Sequence, residues 1–327
     1  MTTAIKHHDV EVNGVRLHVA EQGEGPLVLL LHGFPECWYS WRHQFAPLAA
    51  AGYRVVAPDQ RGYGRSDRPK DPSSYTVHHL TGDVVALIHA LGESRAFLVG
   101  HDWGAPVAWT TAQLRPDLVR GVAGLSVPPF PRGRQSMAAA YRQQLGERYY
   151  FVYFQEPGRA DAELARDVRA TFRRILAGRP ADGDGLLWYA PADGRLLDAL
   201  ADPGELPAWL TEADLDAFVA EYAPHGAEAF TGGLNWYRAT DLNWELTAAL
   251  DGLPVTVPAL FLAGEQDIVT ALPAARDFIA ALPQVLPRLH HSALLPDCGH
   301  WTQQERPDEV NAACWTSSAA FGTDVRD

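Results

Sequence analysis

A short run, Leu98-Val99-Gly100-His101-Asp102-Trp103-Gly104, decides the fold, because an apolar strand stops there at a Gly-x-Asp-x-Gly turn. The two glycines flank Asp102 at the spacing at which glycines flank serine in a Gly-x-Ser-x-Gly elbow, a tight turn from a strand into a helix. Such a turn leaves no room for side chains at the flanking positions. We therefore predict that Asp102 is a nucleophile presented on a strand-to-helix turn.

The sequence on both sides of this turn predicts a parallel sheet. The predicted strands lie at residues 27–31, 53–59, 96–100 and 119–126, and later at 257–263 and 290–295. The run Leu27–Leu31 is apolar throughout, as expected of a strand covered on both faces. Helical spacing separates the strands, and this alternation predicts an α/β fold with right-handed crossovers. An antiparallel hairpin over residues 9–21, turning at Asn13-Gly14, precedes them.

The alternation of predicted strands and helices ends at Pro128-Pro129. From there to residue 246 we predict no strand, only helices separated by Gly, Pro and Asp clusters. One of these helices begins at a capping box, Thr211-x-x-Asp214. The sequence thus predicts a core in two parts, 1–127 and 247–327, with an inserted all-helical cap over 128–246. Residues 181–205 form a loop-rich passage of the cap whose conformation the pattern does not predict.

Composition narrows the possible partners. The chain has 327 residues, with 27 Lys and Arg against 40 Asp and Glu, a formal net charge of -13 and no basic cluster, which argues against nucleic acid and anionic membranes. The N-terminus lacks the apolar core of a signal peptide and no apolar run is long enough for membrane insertion, so we expect a cytoplasmic protein. Three scattered cysteines predict neither a disulfide framework nor a metal site. The sequence does not indicate the oligomeric state.

Three candidate residues for chemistry follow predicted strands. Asp102, Asp267 and His300 occur in the order nucleophile, acid, histidine, which resembles the order in the α/β-hydrolase fold. His300 would act as a general base, and Asp267 would accept the second ring N–H and fix the tautomer. Asp297 also ends a strand, but it lies too close to His300 in sequence for the usual orienting role, so it ranks second to Asp267.

A carboxylate nucleophile changes the chemistry that the turn permits. It attacks a saturated carbon and forms an alkyl ester of itself, and water activated by His300 then attacks the carbonyl carbon of Asp102. This second step creates an oxyanion, for which we expect the backbone N–H groups of Phe34 and Trp103 as donors. No other elbow occurs in the chain, so Asp102 excludes a serine-type esterase.

The residues considered so far do not identify the leaving group. A halide leaving group would need N–H donors, whereas an epoxide oxygen would need an acid. Tyrosine can be that acid, because its reference pKa of about 10 keeps it protonated at neutral pH. The cap offers several tyrosines, each of which can equally be a packing residue. These are Tyr149, Tyr150, Tyr153, Tyr189, Tyr222 and Tyr237.

Five motifs together resemble the soluble epoxide hydrolases of the α/β-hydrolase superfamily, over about residues 8 to 315. The first three are His32-Gly33-Phe34-Pro35-Glu36-Cys37-Trp38-Tyr39-Ser40-Trp41, Asp59-Gln60-Arg61-Gly62-Tyr63-Gly64 and His101-Asp102-Trp103-Gly104. The first and third of these also occur in related hydrolases and dehalogenases. Two cap motifs are more specific, Tyr153-Phe154-Gln155-Glu156-Pro157-Gly158 and Asn235-Trp236-Tyr237-Arg238.

The resemblance implies a role for each matching residue. Asp102 is expected to be the nucleophile, Asp267 and His300 the pair that activates water, and Tyr153 and Tyr237 the two donors to the epoxide oxygen. The pocket is expected to be lined by His32, Pro35, Trp103 and Trp236. The implied substrate is a small apolar, aryl or alkyl epoxide, which is converted to a vicinal diol without a metal or organic cofactor.

Two alternatives stay open. A haloalkane or haloacid dehalogenase shares the aspartate and the first half-reaction, and the cap tryptophans leave a halide donor possible. Many haloalkane enzymes place Asn where this chain has Phe34, however, and fluoroacetate dehalogenases carry Arg where it has Trp103. The second alternative, from a different class, is a non-catalytic small-molecule receptor, although the predicted catalytic set is complete.

Overall fold

Eight strands form one sheet in the computed structural model, which describes residues 4–181 and 186–316. The strands are β1 (Lys6–Val12), β2 (Val15–Gln22), β3 (Leu27–Leu31), β4 (Arg54–Pro58), β5 (Ala96–His101), β6 (Val119–Leu125), β7 (Ala259–Gly264) and β8 (Leu289–Leu295). Their spatial order is β1-β2-β4-β3-β5-β6-β7-β8. The pairs β1/β2 and β2/β4 are antiparallel and the others parallel, which confirms the predicted mostly parallel sheet.

Helices flank this sheet and fill the segment between β6 and β7. They are α1 (Arg42–Ala50), α2 (Val77–Ala90), α3 (Gly104–Leu114), α4 (Met137–Leu145), α5 (Tyr150–Tyr153), α6 (Arg159–Ala165), α7 (Val168–Ala177), α8 (Glu212–Tyr222), α9 (Thr231–Arg238), α10 (Thr240–Leu246), α11 (Ala275–Ala280), α12 (Leu282–Val285), α13 (Thr302–Glu305) and α14 (Pro307–Asn311). Short 3₁₀ helices occur at Trp38–Trp41, Pro72–Tyr75, Leu196–Ala199, Ala223–Glu228 and Ala248–Leu250.

Both faces of the central strands are covered, which explains their unbroken apolar sequences. Leu29 of β3 packs in the same core cluster as Val84 of α2. The next residue, Leu30, packs with Phe45 of α1 in the cluster on the opposite face. The sheet is therefore the middle layer of three, and the carboxyl ends of its parallel strands carry the candidate site.

The segment between β6 and β7 contains the predicted cap, residues 128–246, whose boundaries stay a prediction. It is mainly helical, and the expected helix at the Thr211–Asp214 capping box is α8. The expectation of no strand is wrong in one detail, because Arg179–Pro180 and Leu200–Ala201 form a two-residue antiparallel ladder. That ladder is too short to produce a sequence pattern. Predictions for residues 182–185 and for the polar tail Ser317–Asp327 lie outside the described residues.

The turn after β5 has the tight geometry that its glycines predict. Asp102 has a φ of 49°, in the left-handed region that residues other than glycine rarely adopt. A Cβ on Gly100 would lie 2.2 Å from the carbonyl oxygen of Gly104, and a Cβ on Gly104 would lie 2.0 Å from the carbonyl oxygen of Leu31. Both glycines are therefore required by the close approach of the backbone, which holds Asp102 at the end of β5.

Substituting Gly104 tests this constraint. Gly104→Ala should lower the free energy of unfolding by about 2 kcal/mol or more, because the new methyl group meets backbone that cannot move without disturbing β3. The matched control is Gly133→Ala on an exposed loop, where the nearest atom to a Cβ is 3.1 Å away. Urea unfolding measures both values. Equal destabilisation by the two substitutions would contradict the proposed backbone constraint.

Candidate active site

The structure brings Asp102, His300 and Asp267 together, although they follow three different strands. His300 Nε2 lies 3.4 Å from Asp102 Oδ2, and His300 Nδ1 donates a hydrogen bond of 2.8 Å to Asp267 Oδ1. The side chains of Asp102 and His300 are 15% and 12% exposed, whereas that of Asp267 is fully buried. The three side chains thus form the connected arrangement that is expected of a nucleophile, a base and an orienting carboxylate, and the first two are partly exposed.

Asp267, and not Asp297, orients the histidine. Asp267 Oδ1 also accepts a hydrogen bond of 2.8 Å from the backbone N–H of Val269, which fixes the carboxylate. Asp297 instead forms the turn after β8, with a φ of 50°, and its carbonyl oxygen accepts from Arg306 at 2.9 Å. The position of Asp267 at the end of β7 therefore decides between the two sequence candidates.

The carboxylates of Asp267 and Asp102 change the pKa of His300. Burial alone would lower the pKa of its imidazole, but Asp267 and Asp102 outweigh burial and raise this pKa well above the ordinary value of 6.5. The two carboxylates therefore favour the protonated form of His300. Loss of the charge on Asp102 would remove one of the two groups that raise the pKa.

The backbone N–H of Phe34 supplies the expected hydrogen bond to the nucleophile. It donates to Asp102 Oδ1 at 2.7 Å, so the two carboxylate oxygens have different partners. Gly33 permits this approach, because a Cβ there would lie 2.2 Å from Asp102 Oδ1. Trp103 precedes α3 as its N-cap residue, and the donor role of its backbone N–H stays a prediction.

Tyr237 lies in an aromatic cluster above Asp102. Its ring makes edge-to-face contacts with Phe34 and Trp103 at centroid distances of 5.4 and 5.0 Å. Burial raises the pKa of Tyr237 well above 10, and the charge of Asp102 adds to the shift.

The structure does not bring Tyr153 to this site, so that prediction is corrected. The Tyr153 hydroxyl donates to Glu163 Oε2 at 2.5 Å, and the guanidinium of Arg159 lies 4.1 Å over its ring. Burial and the hydrogen bond to Glu163 raise its pKa. Its proton is therefore already held by a buried carboxylate of α6, away from Asp102.

Tyr150 lies beside Tyr237 in the aromatic cluster. Its ring lies 6.3 Å from that of Tyr237, and its side chain is only partly buried. Burial raises the pKa of Tyr150 well above 10, and the charges that add to this shift include Tyr237 and Asp102. Residues 150 and 153 lie only about 60° apart around a helix, so spacing alone does not separate them. The one feature that could have distinguished Tyr153 from Tyr150 was Glu163, an acidic residue that α6 buries.

A second missed feature lies behind His300. Glu36 Oε2 accepts hydrogen bonds from His101 Nδ1 at 2.6 Å and from the Gly33 N–H at 3.1 Å, and His101 Nε2 donates to the His300 carbonyl oxygen at 2.7 Å. Both partners of the His101 ring are acceptors, so both ring nitrogens carry protons. The second Glu36 oxygen accepts from the Gln303 amide at 2.8 Å. This buried ion pair connects the Phe34 loop, the Asp102 turn and the His300 loop.

The remaining predicted pocket residues differ in position. His32 is fully buried, with Nδ1 bonded to the Gly33 carbonyl and Nε2 accepting from the Gln60 N–H, so it has no surface for a substrate and that prediction is corrected. Pro35 is buried and joined to Phe34 by a cis peptide bond. Trp103 and Trp236 do line a cavity of about 560 Å³ beside the site.

Two further observations concern the described ranges 4–181 and 186–316. They contain no group of three or more His, Cys, Asp or Glu side chains arranged to hold a metal ion. None of their helices has the length and apolar character that crossing a bilayer requires.

The buried ion pair makes stability depend on pH. Burial alone would raise the pKa of Glu36, but His101 lowers it from 4.5 to about 2. Ionised Glu36 therefore stabilises the fold fully above about pH 4.5, and this contribution is lost as the pH falls towards 2. Glu36→Gln should lower the free energy of unfolding by about 3 kcal/mol at neutral pH.

Urea unfolding of the wild type and Glu36→Gln at several pH values measures this effect. The two stabilities should converge as the pH falls from 4.5 towards 2, and the exposed control Glu24→Gln should stay within about 0.5 kcal/mol of the wild type throughout. A difference that does not change with pH would show that ionisation of Glu36 is not its cause.

Comparison with known proteins agrees with this geometry. Residues 26–307 match the family described as alpha/beta hydrolase fold. Epoxide hydrolase A of Mycobacterium tuberculosis is 48% identical over 310 residues, which cover 93% of this chain and 94% of that protein. Epoxide hydrolase 1 of Siraitia grosvenorii is 43% identical over 312 residues, which cover 94% and 96%.

Solved structures give the same result. The crystal structure of epoxide hydrolase A from Mycobacterium thermoresistibile has a TM-score of 0.86 and 48% identity, covering 95% of this chain and 97% of that one. A Vigna radiata epoxide hydrolase mutant has a TM-score of 0.88 and 41% identity, covering 94% and 96%. The chain therefore belongs to the epoxide hydrolases of the α/β-hydrolase fold.

Proposed function

We propose that the protein hydrolyses an epoxide to a vicinal diol through a covalent ester on Asp102. One observation carries this proposal: the carboxylate of Asp102 lies between the Phe34 N–H at 2.7 Å and His300 Nε2 at 3.4 Å, and its charge helps to raise the pKa values of the nearby Tyr150 and Tyr237. These groups supply a nucleophile, an oxyanion donor, a base and two acids, which are the parts that the reaction needs.

In the first half-reaction, Asp102 Oδ2 attacks an epoxide carbon and the carbon–oxygen bond of the ring breaks. Oδ2 is the attacking atom because Oδ1 is held by the Phe34 N–H. Tyr150 and Tyr237 donate hydrogen bonds to the oxygen that leaves the carbon. Their raised pKa values keep both hydroxyls protonated at neutral pH. This role for Tyr150 replaces the one predicted for Tyr153.

In the second half-reaction, water attacks the carbonyl carbon of the ester and His300 takes a proton from it. The charge that develops on Oδ1 is stabilised by the Phe34 N–H, which already donates to that atom, and we propose the Trp103 N–H as the second donor. Collapse of the intermediate breaks the ester bond, and the proton that the attacking water retained passes to the oxygen of the departing diol, which restores the Asp102 carboxylate. No step requires a cofactor.

The order of the two steps follows from electrostatics. The charge of Asp102 favours the protonated form of His300, and that form cannot act as a base. Alkylation converts the carboxylate to a neutral ester and so lowers the pKa of His300. The proton that His300 gives up reaches the oxygen of the opened epoxide, and His300 takes a proton back from water in the second half-reaction. The base is thus formed only when the ester that it must hydrolyse is present.

The family assignment does not by itself give the substrate class or the location of the protein. The aromatic cluster around Tyr237 supports an apolar, aryl or alkyl epoxide as the substrate. A cytoplasmic location stays a prediction, with which three free and buried cysteine thiols are compatible.

The two cap tyrosines provide the sharpest test of this proposal. Tyr150→Phe and Tyr237→Phe should each slow alkylation of Asp102 by about 10²-fold, because each removes a proton donor from the leaving oxygen. Tyr153→Phe is the matched control and should stay within about threefold of the wild type. Stopped-flow measurements with styrene oxide give the alkylation rate. Loss of activity in Tyr153→Phe but not in Tyr150→Phe would overturn the proposed assignment.

The same substrate tests the reaction itself. Wild-type protein without added cofactor should convert styrene oxide to phenylethanediol, and Asp102→Asn should not. Bromide release from 1-bromobutane, without diol formation from styrene oxide, would favour the dehalogenase alternative.

A further inference from the structure

The two proposed proton donors lie on separate helices of the cap. Tyr150 is the first residue of α5, Tyr237 lies in the last turn of α9, and the centroids of their rings are 6.3 Å apart. In the proposed reaction both hydroxyls donate to one oxygen atom, and a hydrogen bond weakens steeply when its geometry is wrong. The relative position of α5 and α9 therefore decides whether both donors can act on the same atom.

The side chain of Gln155 joins the ends of these two helices. Its Nε2 donates to the carbonyl oxygen of Phe151 in α5 at 3.0 Å and to that of Tyr237 in α9 at 3.1 Å. Both partners are carbonyl oxygens, which only accept, so the atom that faces them is the amide nitrogen. This nitrogen carries two protons, and it can therefore bind both helices at once.

The end of α5 explains why a side chain is used here. The last carbonyl groups of a helix lack the N–H groups of a following turn and need other partners. In a continuing helix, the backbone N–H of Gln155 would bond the Phe151 carbonyl four residues earlier. Here that N–H donates to the Val152 carbonyl at 3.1 Å instead. The amide of the Gln155 side chain takes its place on the Phe151 carbonyl and reaches α9 with the same atom.

Arg238 connects the two helices in the opposite direction. It follows Tyr237 at the end of α9, and its Nε donates to the carbonyl oxygen of Phe154, directly after α5, at 3.2 Å. The guanidinium of Arg238 forms an ion pair with Asp161 of α6, and both side chains are largely buried. The ring of Phe154 contacts both tyrosines, with centroid distances of 5.6 Å to Tyr150 and 5.0 Å to Tyr237. The contact between the helices is thus fixed at more than one point.

We propose that Gln155 is a positioning residue that holds Tyr150 and Tyr237 at the separation that one epoxide oxygen requires. It acts through the backbone carbonyls that it binds, one next to Tyr150 and one on Tyr237 itself, and it does not touch the substrate. The inference rests on the proposed function. It also gives the two cap motifs a role beyond their tyrosines, because Gln155 belongs to the first motif and Arg238 to the second.

The two half-reactions should depend on Gln155 to different extents. Alkylation of Asp102 uses both tyrosines on one oxygen atom, so it is sensitive to their relative position. Hydrolysis of the ester uses His300 and the Phe34 N–H instead. Loss of the Gln155 contacts should therefore slow the first half-reaction selectively.

Gln155→Met tests this expectation, because methionine has a similar length but no N–H to donate. It should slow alkylation by about tenfold, since small displacements of positioned groups are costly. The rate constant of ester hydrolysis should stay within about twofold of the wild type. Single-turnover measurements with styrene oxide resolve the two rate constants, by stopped flow for ester formation and by rapid quenching for diol release. Gln155→Glu, which has no amide N–H, is a second variant for which we expect the same selective loss.

A double-mutant cycle separates positioning from a purely structural role. In a Tyr150→Phe protein only one donor remains, so the relative position of two hydroxyls no longer matters. Gln155→Met should therefore slow alkylation by less than about twofold in that protein. A residue that merely stabilised the cap would give the same loss with and without the Tyr150 hydroxyl.

Gln143→Met is the matched control, since it makes the same substitution on α4 of the cap. The Gln143 side chain is exposed, and its Oε1 accepts a hydrogen bond of 2.9 Å from Gln135. Both rate constants should stay within about twofold of the wild type.

The outcomes distinguish this inference from the proposed function. Unchanged alkylation in Gln155→Met and Gln155→Glu, equal slowing of both half-reactions, or an undiminished effect in the Tyr150→Phe protein would overturn the positioning role and leave the proposed function intact. A wild-type protein that forms no ester on Asp102 would overturn the proposed function, and the positioning role with it.

Discussion

The hydrogen bond from the Phe34 N–H to Asp102 Oδ1 is the contact on which the site depends. It joins the ends of two neighbouring parallel strands, β3 and β5, whose register places Leu31 opposite Gly100. The contact requires a residue without a side chain at position 33 and a nucleophile held at positive φ. Because the bond occupies Oδ1, it decides which carboxylate oxygen attacks and which later becomes the oxyanion. A local backbone constraint thus assigns both chemical roles of Asp102.

Electrostatics connects this contact to the rest of the site. Asp102 and Asp267 together favour the protonated form of His300, and His101, which is paired with Glu36, donates a hydrogen bond to the backbone carbonyl of His300. Removing a buried charge from such an arrangement is costly, so the resting state is well defined. Formation of the ester removes the charge of Asp102 alone, and this loss favours the neutral form of His300. The proposed mechanism therefore needs no conformational change between the first step and the second.

The sequence was sufficient for the sheet and the triad but not for the cap. Strand β3 and the turn at Gly100–Gly104 carry their own signals, an apolar run and a glycine bracket, so their structure follows from local sequence. The stretch Tyr149–Phe154 is aromatic or apolar throughout, and no polar face indicates which tyrosine turns towards Asp102. That choice depends on a buried carboxylate in α6, whose contact with Tyr153 exists only in the folded protein. The sequence did not predict the Glu36–His101 pair for the same reason, since Glu36 lies in the loop after β3 and His101 is the last residue of β5.

The central claim is that Asp102 itself supplies an oxygen atom to the diol. A single turnover in water enriched in ¹⁸O, with protein in excess over styrene oxide and mass spectrometry of both the diol and the peptide that carries Asp102, tests it directly. The account predicts that the diol from this first turnover contains no ¹⁸O and that the heavy atom appears in the Asp102 carboxylate. A first-turnover diol that contains ¹⁸O, with an unlabelled Asp102 peptide, would show that water attacks the epoxide directly and would contradict the covalent mechanism.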